Sequence, residues 1–505
     1  MLDNTKVNLF RQSVTTRYNL LLAVTFLALF FFFLRPPTDP DLGWHLRYGQ
    51  QMWETRQIPR TDTFSSTMTG YAWADSYWLS EVFIYGLFSL GGYYLLALVF
   101  SLIASLAAVL TFSSFRKTPL RSGSLDLKGV DSSFWGEGVN LVLSLFLAVL
   151  LIISFAGTRP QTISLLFFAM ILLLLRYHRY RFLPLLFLFW ANFHAGFVLG
   201  LALVWLWFVG EILGNLRIRE LGNRRKLFGL VTRLTKYPII CTIITLLNPY
   251  GPFLWHSIAR DAGSVEIKQY IAEWAPPLLR SDLGLLFFLY LVVFLILLGL
   301  NFRREKLSFL LPALFFTFLS LSALRHIPLF VILTLPFFYQ SLPRLSYSGT
   351  KYTFIWILLV FLIVSVFSFA GFLVPIVNGE WTSRQTKGFG NYPEAAAAYL
   401  KNNPVPGVIF NTYGWGGYFL WNVPEYKTFI DGRMPGWRTG SQPTLFSEYL
   451  QAAHLKNGWA EVLEKYKIAS VVIDKTVPLS EALRIKTGWE KVYEDSLAVI
   501  FRRVN

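Results

Sequence analysis

The chain has little cysteine and little charge for its length. Its 505 residues include one cysteine, and charged residues make up 15%. A single thiol excludes a disulfide framework and a metal site built on cysteines. We interpret Cys241 as a small buried hydrophobe, because it lies within an apolar run. The dinucleotide, Walker and Gly-x-Ser-x-Gly motifs are also missing, so hydride transfer, ATP-driven transport and serine hydrolysis have no support.

Hydrophobic residues are abundant instead. They make up 54% of the chain, and aromatic residues make up 17%, which is more than an ordinary soluble fold contains. A membrane span needs roughly 20 mostly apolar residues. We expect about eleven segments to span or enter the membrane, namely 18–35, 93–115, 138–157, 160–176, 182–193, 195–214, 237–249, 283–301, 307–324, 327–342 and 352–377. The sequence therefore predicts a polytopic α-helical membrane protein.

The basic residues agree with this alternation of spans and loops. A net charge of +17 would suggest a nucleic-acid partner in a soluble protein. If the N-terminus is cytoplasmic, however, every strongly basic loop falls on the cytoplasmic side, as the positive-inside rule requires. These loops lie at 116–128, 176–181, 217–236, 303–306 and 344–351. We therefore expect no nucleic-acid partner, a cytoplasmic N-terminus and an extracytoplasmic C-terminus.

The composition changes near residue 380. We predict a transmembrane domain over residues 1–379, with an external loop at 36–92, and a soluble extracytoplasmic domain over 380–505. In the second domain the patterns predict helices at 392–402, 445–455, 460–466 and 479–485, and strands at 408–410, 428–430, 469–473, 489–494 and 498–502. Strands that alternate with helices are typical of a small α/β domain.

Polar side chains gather at the predicted external ends of the spans. Ionisable groups at membrane depth are costly and usually face a cavity, so several of them at one face predict a functional site. The candidate cavity-lining residues are His45, Arg47, Asp75, Glu81, Gln161, Asn192, His194, Asn248 and Glu273. Each also has a structural interpretation, such as a helix cap for the two asparagines or a packing role for His194.

The loop after the first span is the most informative segment. It begins with Asp39-Pro40-Asp41, and from Leu42 its apolar spacing predicts an amphipathic helix along the membrane interface. A second short helix is predicted at 73–90. Asp41 stands at the N-cap of the first helix, where backbone N–H groups stabilise a carboxylate. Asp41 is therefore either a capping residue or a functional one.

This organisation resembles the GT-C glycosyltransferases, which include the protein O-mannosyltransferases and the lipid A aminoarabinose transferases. A closer resemblance is to a group of bacterial membrane proteins described as GT-C-like transferases. The motifs that carry it are Asp39-Pro40-Asp41-Leu42-Gly43-Trp44-His45-Leu46, Arg159-Pro160-Gln161, Trp190-Ala191-Asn192-Phe193-His194-Ala195-Gly196, Asn248-Pro249-Tyr250-Gly251 and Phe429-Ile430-Asp431-Gly432-Arg433. The better-known families carry a Lys-Pro-Pro-like element before the second span, and this chain lacks its lysine.

The resemblance implies a bacterial inner-membrane enzyme that moves a sugar from a polyprenyl-phosphate donor to a protein, lipid or glycan acceptor outside the cytoplasm. By resemblance, Asp41 is the first candidate, and Asp39 the second, for the carboxylate that takes a proton from the acceptor or binds Mg²⁺ or Mn²⁺. Arg159, Arg325 and His326 are the candidates for binding the donor phosphate, because such a reaction needs compensation for charge on the leaving phosphate.

The C-terminal region offers weaker candidates for binding the acceptor. Aromatic faces beside glycines can stack on sugars, which suggests Trp415, Tyr418, Asp431 and Arg433, although turns and packing also explain these motifs. Two other functions stay open. A transporter or flippase would be favoured by inverted repeats or mid-span acidic residues, and a non-catalytic membrane assembly protein would be favoured if Asp41 only capped its helix.

Overall fold

The computed structural model describes residues 23–113, 144, 146–152, 155–218, 224–342, 359, 362–367, 369–371, 373 and 392–504. The predicted domain boundary near 380, the basic loops at 116–128 and 344–351, and most of the predicted span 352–377 lie outside these residues. So do parts of the predicted spans 18–35 and 138–157.

The first part of the chain is helical, because its long apolar runs satisfy their backbone hydrogen bonds within each segment. Its helices are α1 (Ala23–Phe33), α2 (Leu42–Thr55), α3 (Trp78–Ser113), α4 (Pro160–Arg176), α5 (Leu183–Phe193), α6 (Phe197–Ile218), α7 (Arg224–Ile244), α8 (Pro252–Gly263), α9 (Val265–Tyr270), α10 (Asp282–Asn301), α11 (Leu307–Ser322) and α12 (Ile327–Ser341). Among the described residues, three helices are long and apolar enough to cross a membrane: Trp78–Thr111, Phe197–Leu216 and Asp282–Arg304.

Two predicted segments have different bounds in the structure. Helix α3 joins the predicted short helix at 73–90 to the predicted span at 93–115, and the helical geometry breaks at Gly91 and Gly92. Gly92 has φ 59, a conformation that glycine adopts without a steric penalty. Helix α7 begins well before the predicted span 237–249 and contains Pro238 within it.

The C-terminal region contains the helices α13 (Glu394–Asn402), α14 (Gly416–Asn422), α15 (Leu445–Ala453), α16 (Trp459–Lys465) and α17 (Pro478–Ile485). Its strands are β1 (Val408–Asn411), β2 (Ile468–Asp474), β3 (Trp489–Glu494) and β4 (Ala498–Arg503). They form one sheet in the order β1-β2-β4-β3, with β1 and β2 parallel and the other pairs antiparallel. The strands predicted at 489–494 and 498–502 are therefore present as the antiparallel pair β3 and β4.

One predicted strand, at 428–430, is wrong. Thr428 forms an isolated parallel bridge with Ser65 of the external loop instead of joining the sheet. The hydroxyl of Thr67 donates to the backbone oxygen of Phe429 at 2.7 Å. The apolar residues of this segment pack against the external loop. A short apolar run in the sequence does not distinguish such a packed segment from a strand of the sheet.

Helix α2 lies between the helical part and the C-terminal region. Leu42 and Leu46 pack in one apolar cluster with Ile84 of α3. Trp44 and Tyr48 belong to a second cluster, which contains the core of the C-terminal region. The helix was predicted to lie along the membrane interface, yet it buries residues toward both neighbours. The external loop and the C-terminal region consequently share one core.

Candidate active site

Asp41 occupies the N-cap position of α2 without acting as a cap. Its backbone has φ −83 and ψ −14, and its side chain accepts no capping hydrogen bond. The local turn is instead held by Asp39, whose Oδ1 accepts from the backbone N–H of Asp41 at 2.8 Å. The Asp41 carboxylate is thus not committed to stabilising its own helix.

Arg159 joins three separate segments of the chain. It directly precedes α4 and has an extended backbone, with φ −146 and ψ 149. Its guanidinium forms ion pairs with Asp39 and with Glu273, which lies in the short helical turn Ala272–Trp274. Burial alone would lower the pKa of Arg159, but the charges of these two carboxylates outweigh it and raise the pKa. The positive charge of Arg159 is therefore matched within the protein.

The surroundings of Asp41 favour its protonated form. Burial raises the pKa of Asp41 to about 7, and the negative charge of Asp39 adds to this shift, while the charge of Arg159 acts against it. A carboxyl group with a pKa near neutrality can accept and release a proton at physiological pH. Strongly shifted carboxyl groups gather at functional sites more often than elsewhere.

Arg325 differs from Arg159 in its partners. Its guanidinium lies over the ring of Trp274, 4.4 Å from the centroid, and within the described residues it forms no ion pair with a carboxylate. The adjacent His326 is held by its own backbone, since Nδ1 lies 3.1 Å from the backbone oxygen of Leu319. Burial lowers the pKa of His326 to about 4. Arg325 is thus a cation that no carboxylate of the described residues balances, and the lowered pKa of His326 favours its neutral form.

A buried acidic cluster connects α2 to the start of α3. Nδ1 of His45 lies 3.1 Å from Oε1 of Glu81. The Asp75 and Glu81 carboxyl groups lie within hydrogen-bonding reach of each other, although no donor in the described structure reaches Oδ2 of Asp75 or Oε2 of Glu81. Carboxylates only accept hydrogen bonds, so this contact requires a proton on one of the pair. Burial raises the pKa of Asp75 to about 6, and burial also holds the pKa of His45 well below its ordinary value.

His194 connects to this region through aromatic contacts. Its ring centroid lies 5.4 Å from that of Tyr77, which in turn lies 5.4 Å from the His45 ring. Burial and the charge of Arg325 lower the pKa of His194 to about 3. The charges of Arg325 and Asp41 both act on Tyr77. Tyr77 was not predicted as a site residue, and nothing in its sequence context distinguishes it from other aromatic residues.

Other predicted site residues have local structural partners. Oδ1 of Asn192 accepts from the indole of Trp78 at 3.1 Å, and its amide donates to Leu188 and Leu247. The amide of Asn248 donates to Thr245 and its Oδ1 accepts from Tyr250. Arg47 donates to Gln50 and lies over the ring of Phe64. Oε1 of Gln161 is buried without a partner in the described structure. The structure does not bring Arg47, Asn192 and Asn248 to Asp41 through a direct bond.

The glycines of the C-terminal motifs lie against the loop that carries Asp41. A β-carbon on residue 417 would lie 2.5 Å from the backbone oxygen of Pro40. One on residue 432 would lie 1.9 Å from Oδ1 of Asp41. The backbone of Pro40 leaves no room for a side chain on residue 417, and a side chain on residue 432 would have to displace the Asp41 carboxylate, so these glycines permit the close approach of the two segments. This close approach agrees with the packing interpretation of the two motifs.

Arg433 lies in a buried polar network that links the C-terminal region to the external loop. Its guanidinium pairs with Asp431 at 2.6 Å and with Asp62 at 2.8 Å, and all three side chains are 0% exposed. It also donates to the hydroxyl of Tyr48. An acceptor could not reach these atoms in this conformation, so Asp431 and Arg433 are better explained as connecting residues. Trp415 is buried as well, and Tyr418 stacks on Tyr392 with centroids 5.0 Å apart.

The predicted divalent metal does not fit the residues present. Asp39 already accepts from the Asp41 backbone and from Arg159 through its two oxygens. Within the described residues, no three His, Cys, Asp or Glu side chains converge on a possible ion. Mg²⁺ and similar ions require about six oxygen ligands in near-octahedral order. We therefore derive no step through a metal.

Comparisons with known proteins bear on the fold. No family model and no curated protein matches the chain. The chain is similar to the crystal structure of ArnT from Cupriavidus metallidurans bound to undecaprenyl phosphate, with a TM-score of 0.51, 12% identity and coverage of 97% of this chain and 98% of that one. It is also similar to the oligosaccharyltransferase of Archaeoglobus fulgidus tethered to an acceptor peptide, with a TM-score of 0.48, 12% identity and coverage of 96% and 74%.

ArnT is a lipid A aminoarabinose transferase, so the likeness to it confirms, for the fold, the resemblance that the sequence motifs indicated. In its described residues the chain is mostly helical with a small C-terminal sheet, and its fold is similar to that of ArnT.

Proposed function

We propose that the chain is a glycosyltransferase that moves a sugar from a polyprenyl-phosphate-linked donor to an acceptor outside the cytoplasm. The observation that carries this proposal is the Asp41 side chain, a half-buried carboxylate that makes no capping hydrogen bond and whose pKa is raised to about 7. The same observation removes the support for a non-catalytic assembly protein, which depended on Asp41 being only a cap.

The proposed reaction assigns a role to each charged group. The acceptor hydroxyl attacks the anomeric carbon of the donor while the Asp41 carboxylate takes the hydroxyl proton. The bond between this carbon and the phosphate oxygen breaks, and the lipid phosphate leaves with the electron pair. Arg325 compensates the charge of that phosphate, because its guanidinium has no carboxylate partner among the described residues. Arg159 forms ion pairs with Asp39 and Glu273, so these two carboxylates already balance its positive charge.

The proposed enzyme lies in the bacterial inner membrane with the site and the C-terminal region outside the cytoplasm. The distribution of basic loops supports this orientation. A reporter enzyme that is active only outside the cytoplasm, fused after the last residue, should be active. Activity of a second reporter enzyme, one that works only in the cytoplasm, would contradict both the proposed orientation of the chain and the proposed location of the site.

The decisive experiment measures the lipid-linked donor in cells. In a strain without the gene, a polyprenyl-phosphate sugar should accumulate, and mass spectrometry of the lipid extract should identify it. Wild-type protein should restore its consumption, while Asp41→Asn should slow that consumption by roughly 10²- to 10⁴-fold. Asp282→Asn is the matched control, because Asp282 is exposed at the start of α10. Full consumption by the Asp41→Asn variant would contradict the proposal.

A further inference from the structure

His194 lies between α5 and α6 and is held through one of its two ring nitrogens. Nδ1 accepts from the backbone N–H of Gly196 at 2.9 Å. The same nitrogen lies 2.6 Å from the hydroxyl oxygen of Ser164, a residue of α4. A β-carbon on residue 196 would lie 2.7 Å from both of these atoms, so glycine permits the arrangement. His194 is 5% exposed.

The direction of these hydrogen bonds fixes the position of the ring proton. The indole nitrogen of Trp190 lies 2.7 Å from the Ser164 hydroxyl oxygen, and an indole N–H can only donate. Ser164 therefore accepts from Trp190 and uses its own hydrogen toward His194. Nδ1 receives hydrogen bonds from Ser164 and Gly196 and carries no proton. In the neutral ring the proton must then lie on Nε2.

Nε2 of His194 is a buried donor without an acceptor in the described structure. A buried donor left unpaired is costly, and such groups in native structures usually indicate a missing ligand or water. The positive charge of Arg325 acts on this ring. Within the described residues, His194 thus offers a buried donor without an acceptor, and Arg325 is a cation that forms no ion pair with a carboxylate. Low basicity keeps the ring neutral, so Nε2 remains a donor at physiological pH.

We propose that the Nε2–H group of His194 donates a hydrogen bond to a phosphoryl oxygen of an anionic ligand whose charge is balanced by Arg325. The ligand class is a phosphate ester, and the lipid phosphate of the donor is the source we favour. This assignment rests on the proposed function and adds to it a binding residue that orients the phosphate through a neutral hydrogen bond. Trp190, Ser164 and Gly196 act as positioning residues, because they set which nitrogen carries the proton.

Two substitutions of His194 separate binding from structure. The amide nitrogen of glutamine occupies nearly the position of Nε2, so His194→Gln keeps the donor and loses the acceptor for Ser164 and Gly196. The oxygen of asparagine occupies nearly the position of Nδ1, so His194→Asn keeps that acceptor and loses the donor. A binding role predicts that His194→Asn weakens binding of the ligand more than His194→Gln does. A purely structural role predicts the opposite order of binding, because only His194→Gln loses the contacts to Ser164 and Gly196.

The test measures binding of undecaprenyl phosphate, inorganic phosphate and neutral undecaprenol to the purified full chain in detergent. His194→Asn should weaken binding of undecaprenyl phosphate by about tenfold to a hundredfold. His194→Gln should weaken it by a smaller factor, and the exposed control His256→Asn should bind it like the wild type. Undecaprenol should bind weakly to all variants. If inorganic phosphate shows the same loss, the site takes a free phosphate and the lipid source is wrong.

Unchanged binding by His194→Asn, or a loss confined to His194→Gln, would overturn the role of His194 and leave the proposed function in place. Full donor consumption by Asp41→Asn would overturn the proposed function without affecting the binding result. A wild-type chain that binds neither phosphate would overturn the assignment of His194 itself. If His194→Asn does not fold, Ser164→Ala provides the second test, because it removes a donor to Nδ1 and should weaken phosphate binding by a smaller factor.

Discussion

Gly432 lies directly against the carboxylate of Asp41, and a β-carbon on residue 432 would stand 1.9 Å from Oδ1. The two residues are far apart in the sequence, yet the C-terminal region covers the candidate base. The same region is tied to the external loop by Arg433 and Asp62. The surroundings of Asp41 are therefore built by both parts of the chain.

Gly432→Ala should displace Asp41 from its present position. Because a misplacement of about 1 Å can cost about a hundredfold in rate, we expect a loss of that order in consumption of the lipid-linked donor. Gly414→Ala is the matched control, since a β-carbon there meets nothing within 4 Å. If the two variants consumed the donor at equal rates, the close approach of Gly432 to Asp41 would not contribute to catalysis.

The rate of transfer should rise with pH through about 7. Asp41 must be ionised to accept a proton, and its pKa of about 7 means that the active form is lost as the pH falls below that value. Initial rates in proteoliposomes between pH 5 and 9 would measure this midpoint. Asp39→Asn should move the midpoint down, because the charge of Asp39 helps to raise the pKa of Asp41. A rate that is flat from pH 5 to 7 would remove Asp41 as the base.

Arg325→Gln and Arg159→Gln should have different consequences. Loss of the Arg325 charge should weaken binding of undecaprenyl phosphate by about tenfold or more, with little change in thermal stability. Loss of Arg159 leaves Asp39 and Glu273 without their partner, so we expect a lower unfolding midpoint in detergent. Arg280→Gln is the control, because Arg280 is exposed and lies in the segment between α9 and α10 that also contains Glu273. Equal stability of the Arg159 and Arg325 variants would contradict the difference in pairing.

Arg433→Gln should loosen the C-terminal region from the external loop. The substitution leaves Asp62 and Asp431 buried without a counter-charge, which typically costs about 3–5 kcal/mol. Thermal unfolding and limited proteolysis of the purified chain would detect this loss. Arg502→Gln should change neither, because its pair with Glu490 is exposed and such pairs contribute about 0–1 kcal/mol. A stable, protease-resistant Arg433→Gln variant would exclude the connecting role.

Glu81→Gln should be tolerated, whereas Glu81→Leu should not. A glutamine side chain can donate to Asp75 and still accept from His45, so it reproduces the contacts of a protonated Glu81. Leucine would leave both partners buried and unpaired, at a cost of about 1–3 kcal/mol for each group. Unfolding midpoints of the two variants, compared with the wild type, measure the difference. A large loss for Glu81→Gln would indicate that Glu81 is required as a charged group.

Much of the helical part could be predicted from the sequence. Long apolar runs such as 160–176 and 283–301 became α4 and α10 with nearly the predicted bounds, because the period and length of such runs are local properties. The position of Asp41 at the start of α2 was predicted for the same reason. Whether its carboxylate caps the helix could not be predicted. That depends on the hydrogen bond from the Asp41 backbone to Asp39 and on the segment around Gly432 that packs against Asp41.

The candidate site was predicted only in part. The gathering of Asp39, Arg159 and Glu273 agrees with the expected convergence at the external ends of the spans. Asn192 and Asn248, however, satisfy backbone groups near them. Ser164 carried a usable signal, because a polar residue in an apolar helix usually has a specific partner. Its link to His194 required the structure.

The sequence by itself determined the apolar helices, most strands of the C-terminal sheet and the small set of polar residues from which a site could be built. Local periodicity and composition decide these features, because the spacing of apolar residues within a helix or strand sets the face that it buries. Only the tertiary structure decided which of two arginines is paired with carboxylates, which nitrogen of His194 accepts hydrogen bonds and that residue 432 lies against the Asp41 carboxylate. These properties arise from contacts between residues far apart in the chain, and such contacts leave no periodic pattern in the sequence.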